Sequence, residues 1–240
     1  PASFAQTRIQ NTGGGTALLL SYSEIAFSST KGVSLMRVRR FLALLLASVF
    51  LLPCLVRAAE PPYVALTFDD GPIPEVPPWV LELLDKHNIK ATFFMVGDNI
   101  RKHPDVFRMV VERGHRIGNH TFNHIRGFEF VWSNYLANTD KANEMMKTDL
   151  FRPPHGHMRW TQYMTLKRHY KIIMWDLVTR DYSKKLRPPQ VLANVMRYAR
   201  NGSIITFHDS LKSRNNGNLQ YALPRAIDFL KEEGYEFRLL

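Results

Sequence analysis

A chain of 240 residues, 45% hydrophobic and 22% charged, has room for one globular domain or at most two small ones. Its single cysteine, Cys54, lies in an apolar amino-terminal run, which excludes disulfides and thiolate metal sites from everything after it. Of the formal charge of +11, residues 1–58 hold six Lys/Arg and one acid, so the rest carries +6. No basic cluster interleaved with aromatics argues for nucleic acid, and so modest an excess suits work near anionic envelope polymers.

Residues 1–35 begin with Pro and contain Gly13-Gly14-Gly15 without a period, and they read as sequence upstream of a start at Met36. Met36-Arg37-Val38-Arg39-Arg40 is basic and Phe41 to Val56 is apolar. Val56-Arg57-Ala58 then offers small residues for a cut after Ala58. That order predicts a signal peptide over 36–58 and an exported domain over 59–240. The apolar run, 16 residues interrupted by Pro53, is short for a membrane-spanning helix. Membrane attachment is therefore expected only if this segment stays uncleaved, and the mature protein is expected to be a monomer.

The domain opens with Tyr63 to Phe68, a β-type run that ends in Asp69-Asp70 and a Gly71-Pro72 turn. Because strand side chains alternate, the two carboxylates point apart, and one can bind a cation while the other handles a proton. The spacing predicts helices over Trp79–His87, Pro104–Arg113, Asn134–Lys147, Thr161–Tyr170, Val191–Arg200 and Leu219–Glu233. Between them lie strand-like runs at Ala91–Val96, His115–Gly118, Asp149–Phe151, Lys171–Trp175, Ser203–Phe207 and Tyr235–Leu239. Strand and helix alternate without a sustained hairpin signature. The pattern predicts parallel βα units, either a barrel or a doubly wound sheet.

Polar chemistry collects just after the strands: Asp69 and Asp70, His120 and His124, Arg152, Asp176 and Asp181, then His208 and Asp209. In a parallel βα architecture these carboxyl ends share one rim, where active sites are built. His120 and His124, at i and i+4, would share a face if the segment enters a helical turn. With Asp70 they form a two-nitrogen, one-oxygen set that leaves coordination positions open, suited to Zn2+ and accessible to Co2+, Ni2+ or Mn2+.

Taken in order, five segments resemble the motifs of the polysaccharide deacetylases, the NodB-homology group or carbohydrate esterase family 4. They are Thr67-Phe68-Asp69-Asp70-Gly71-Pro72, His120-Thr121-Phe122-Asn123-His124, Phe151-Arg152-Pro153-Pro154-His155-Gly156, Trp175-Asp176 with Asp181-Tyr182, and Ile205-Thr206-Phe207-His208-Asp209. The likeness runs from about Tyr63 to Leu239. It implies a distorted (β/α) barrel of about seven parallel strands that removes acetyl groups from sugars. It also implies metal ligation by Asp70, His120 and His124, a base at Asp69 paired with Arg152, and an acid at His208 oriented by Asp181. The backbone N–H of His155, beside Pro154, would hold an oxyanion, and Tyr182 would line the substrate groove.

Two positions depart from the family pattern: His155 stands where a tyrosine is usual and Tyr182 where a tryptophan is usual. The interval from Asp176 to Asp181 is also longer than the commonest form. The expected substrate is an N-acetylated glycan such as peptidoglycan or a chitin-like oligomer. The alternatives are an O-acetyl esterase using the same site, an inactive carbohydrate-binding domain, and an iron oxygenase with a two-His, one-carboxylate centre. Of the remaining residues, His115 is expected to be structural and His157 to be a possible groove neighbour of His155. Trp132, Tyr135 and Trp160 are expected to pack.

Overall fold

The computed structural model describes Arg40 and residues Glu60–Leu240, so the expected leader and the stretch upstream of it lie outside the described residues. Among the described residues, eight strands form one sheet: β1 (Tyr63–Asp69), β2 (Thr92–Met95), β3 (Arg116–Asn119), β4 (Leu150–Phe151), β5 (Lys171–Ile172), β6 (Leu177–Val178), β7 (Ser203–His208) and β8 (Glu236–Phe237). Their order is β5-β4-β3-β2-β1-β7-β6, with β8 pairing the start of β1. Every pairing is parallel. The outer strands β5 and β6 do not pair with each other, so the molecule is a distorted (β/α) half-barrel.

The helices are α1 (Pro77–Lys86), α2 (Gly97–Lys102), α3 (Pro104–Glu112), α4 (Trp132–Met146), α5 (Trp160–Leu166), α6 (Pro188–Tyr198), α7 (Leu211–Asn215) and α8 (Asn218–Glu232). Proline at the first turn starts α1, α3 and α6, where its missing N–H costs nothing. Among the described residues, no helix is long and apolar enough to cross a membrane.

Central β1 is buried at every residue after Tyr63, as a strand covered on both faces requires. Phe68 stacks on Phe93 at 4.9 Å and lies 6.1 Å from Phe207, so three neighbouring strands are locked through one aromatic layer. Around it pack Val80, Leu81 and Leu84 of α1 and Val191 and Val195 of α6, with Leu223, Ile227 and Leu230 of α8 completing the wall. The parallel register sets Asp69 beside both His208 and Phe94. The last residues of β1 and β7 therefore open on the same rim.

Several expectations need correction. Lys171–Trp175 is not a buried strand: only Lys171 and Ile172 pair, at the sheet edge, and Lys171 and Met174 are exposed. The carbonyls of Ile173 and Met174 turn instead to Arg152, which ends the ladder. Asp176 is not a strand exit but precedes β6, where its Oδ2 accepts the Ile204 N–H at 2.8 Å. The short elements α2, α7 and β6 carried too few residues to show a period. Trp132 and Trp160 are 56% and 71% exposed, not packed, because both open helices at the surface; Tyr135 is fully buried as expected.

Because Phe93 fills the layer between strands and is wholly buried, Phe93→Ala is expected to lower unfolding stability by about 3–5 kcal/mol in urea titration.

Candidate active site

Strand β1 ends by turning Asp69 inward and Asp70 toward the rim, and Asp70 adopts φ 88°. Three further residues at the rim, Thr121, His124 and His155, also hold positive φ (65°, 54° and 58°). Such backbone is costly for non-glycine residues and clusters where a site dictates geometry. The segment His120–His124 is consequently not a helical turn. It is a bend fixed by side chains: Asn119 Oδ1 accepts the Thr121 N–H at 2.8 Å, and Asn138 Oδ1 of α4 accepts the Phe122 and Asn123 N–H groups.

That bend nevertheless brings the two imidazoles together. Asp70 Oδ1 lies 3.1 Å from His124 Nε2 and 3.8 Å from His120 Nε2, and all three ligand atoms fall within 4.8 Å of one another. His120 Nδ1 sits 2.8 Å from the Arg152 carbonyl, an acceptor that places the ring proton there and leaves Nε2 free as a lone pair. Burial holds His120 in its neutral form, with a pKa lowered to about 4. Burial opposes the charge on Asp70, but the His124 hydrogen bond and the facing histidines win and hold its carboxyl below the usual range. Two imidazole nitrogens beside a carboxylate fit a divalent cation.

The other members flank this cluster. Asp69, 4% exposed, accepts a 2.6 Å hydrogen bond at Oδ1 from Nη1 of the fully buried Arg152. On the neighbouring strand, His208 Nδ1 lies 2.9 Å from Asp181 Oδ1, while Asp181 Oδ2 accepts the His208 backbone N–H at 2.8 Å. Burial disfavours the imidazolium, yet the Asp181 carboxylate outweighs it, helped by Asp70 and Asp69, and raises the His208 pKa to about 9. Tyr182 meets the His208 ring edge-on at 4.6 Å.

His155 projects from the turn Pro154–Gly156, in which Pro154 is buried, and its ring lies 5.0 Å from that of His124. Among the described residues, no oxygen accepts the His155 backbone N–H. Of the residues to which the family resemblance gives a role, all but Arg152, Pro154 and Asp181 line one cavity of about 360 Å³; of the other strand-end acids, Asp176 and Asp209 do not line it. His157 lines it too, as do Trp175 and Lys212. His115 lies away from it, accepting the Ala91 N–H at Nδ1.

Asp209 was visible after His208 but carried no assigned role. Its Oδ1 accepts the Gly71 N–H at 2.8 Å, and its N–H donates to the Asp69 carbonyl at 3.1 Å, stapling β7 to the turn that carries both carboxylates. A Cβ at position 71 would lie 2.0 Å from Asp209 Oδ2, so the glycine is a steric necessity. Burial, with Asp70 and Asp69 nearby, raises the Asp209 pKa to about 8 against the Gly71 hydrogen bond.

Comparison with known proteins places this geometry. The polysaccharide deacetylase family model matches residues 57–169. Two peptidoglycan-N-acetylglucosamine deacetylases of Bacillus cereus are 33% and 32% identical to this chain, each alignment covering 72% of it. The chain spans 65% of the first and 84% of the second. The chain belongs to the polysaccharide deacetylase family. The crystal structure of the Bc1960 peptidoglycan N-acetylglucosamine deacetylase superposes with a TM-score of 0.70 at 31% identity, over 75% of this chain and 87% of that one. The family match stops before Asp181 and His208, so the second half of the site rests on its geometry.

Direct ligation can be separated from proximity by calorimetric titration with Zn2+. Asp70→Ala and His120→Ala are each expected to lose at least about a hundredfold in affinity, whereas His155→Ala keeps it.

Proposed function

We propose that this polysaccharide deacetylase family member is an exported, metal-dependent enzyme that hydrolyses N-acetyl groups of a glycan, with the N-acetylglucosamine of peptidoglycan or a chitin-like chain as substrate. The observation that carries the reading is the presence in one cavity of two differently supported groups, Asp69 held by Arg152 and His208 held by Asp181, beside the Asp70, His120 and His124 cluster. An inactive binding domain has no use for that division of labour. An oxygenase has none for Asp69, Arg152 and His208. The leader-like 36–58 segment and the relatives named for peptidoglycan support export to the envelope.

A divalent cation held by Asp70, His120 and His124, with zinc the first choice for this donor set, supplies a Lewis acid for the acetyl carbonyl and for water. Asp69, immobilised by Arg152, takes the proton of the attacking water as the new C–O bond forms. The unpaired backbone N–H of His155 donates to the developing oxyanion. His208 enters as imidazolium and gives its Nε2 proton to the departing amine as the C–N bond breaks, releasing acetate and a free amino sugar. Asp181, on Nδ1, keeps that ring charged and aimed. Tyr182 walls the cavity beside it.

The deciding assay measures acetate release from N- and O-acetylated glycans by protein beginning near Ala59 and loaded with metal. Peptidoglycan fragments or chitin oligomers are expected to react. Reaction of O-acetyl xylan alone would reassign the substrate. Asp69→Asn is expected to fold and keep its cation but to lose about 10²–10⁴-fold in kcat; activity equal to wild type would end its role as base.

The ion pair also sets a pH limit. With the folded-state pKa of His208 raised to about 9, the acid form persists through neutral pH and kcat/KM declines as pH rises through about 9. Asp181→Asn removes the charge that favours the imidazolium and is expected to move this alkaline limb to lower pH in a pH–rate profile.

A further inference from the structure

The wall of the cavity on the His155 side continues outward as a line of rings. His124 to His155 is 5.0 Å between centroids, His155 to His157 is 5.9 Å, and His157 to Phe128 is 5.0 Å. The last pair is stacked, at 27°, so the His157 imidazole at the cavity backs the Phe128 ring, which stands out into solvent. Phe128 is 53% exposed.

This exposed phenyl ring sits on a backbone held from several directions. The turn Gly127–Glu129 is tied to the segment after the Pro154–Gly156 turn by the Gly127 N–H to the His157 carbonyl at 3.1 Å. Arg159 Nη2 donates to the Phe128 carbonyl at 2.6 Å. The amide of Gln162, wholly buried, donates to the carbonyls of Gly127 and Phe130. A side chain at position 127 would meet the His157 carbonyl at 2.5 Å, so only glycine permits this approach. A rigid aromatic face held out to water is pre-organised for a ligand, since its ordering cost is already met by the fold.

We propose that the Phe128–His157 pair is a sugar-stacking platform that binds a residue of the glycan chain outside the reacting one, so that the enzyme prefers longer oligomers. The proposal rests on the deacetylase reading for its substrate class, and its own support is the ring contact that joins His157, which lines the cavity, to the exposed Phe128. The C–H face of a pyranose packs on such rings, and the imidazole offers hydrogen bonding to the hydroxyls at its rim. A glycan is favoured over a protein or lipid partner because the platform begins inside the cavity that holds Asp69 and His208, where a chain running out from the acetylated sugar must pass.

The test compares Phe128→Ala, Phe128→Trp and wild type on the N-acetylchitooligosaccharide dimer and pentamer, with the thermal midpoint checking the fold. For Phe128→Ala the pentamer KM is expected to rise about three- to tenfold at unchanged kcat, the dimer constants to stay fixed, and Phe128→Trp to restore the wild-type KM. An unchanged pentamer KM overturns the platform, as does an equal loss on both substrates. Calorimetric binding of the pentamer to the same proteins distinguishes the two readings. Binding that depends on Phe128 without acetate release sustains the platform and refutes the deacetylase. Acetate release without that dependence does the reverse, and an absence of both overturns both.

Discussion

The buried Arg152 is the interaction on which the site depends. Its guanidinium donates to Asp69 and Thr67 of β1 and to the carbonyls of Ile173 and Met174, and it lies 4.0 Å over the ring of Phe94 of β2. Its own carbonyl faces His120 Nδ1, and its N–H donates to the Asn119 carbonyl. One residue thus positions the candidate base, orients a candidate metal ligand and stops the β5 ladder. A fully buried guanidinium is tolerable only when its donors are filled, and removing the carboxylate partner alone would strand a charge. The pair is therefore better understood as a fixture of geometry than as a source of net stability.

Around that fixture the protein accepts local strain. Asp70, Thr121, His124 and His155 occupy left-handed backbone within one rim, and Asp70, His124 and His155 line the shared cavity. The cost is carried by the aromatic layer of Phe68, Phe93 and Phe207 beneath, and by backbone hydrogen bonds accepted by the side chains of Asn119 and Asn138. Asp209 works in the same way from β7, where its carboxylate reaches into space that only Gly71 leaves open. Candidate base and candidate acid then stand in fixed register, because Asp69 and His208 are paired positions of adjacent parallel strands.

His208 and His120 differ in how charge is managed. Asp181 faces His208 with both oxygens, one on the ring and one on the backbone, so the imidazolium is favoured despite burial. His120 has a carbonyl behind it rather than a carboxylate, and burial leaves it neutral. Identical side chains in one cavity are thereby given opposite protonation states, one fit to donate a proton and the other to bind a cation.

The sequence by itself determined the parallel βα plan and the exits that carry chemistry, because period and buried apolar runs are local signals that survive without a fold. It also offered Asp69, Asp70, His120, His124, Arg152, Asp181 and His208 as candidates through the family motifs, and the fold gathers them at one rim. Only the tertiary structure decided that the His120–His124 pair converges through a strained bend, that Asp181 follows the two-residue β6, and that Lys171–Trp175 is an edge rather than a core strand. It alone set Trp132, Trp160 and Phe128 in solvent. Burial, register and left-handed backbone arise from contacts between residues far apart in the chain, and an aromatic side chain reads the same in sequence whether it faces the core or water.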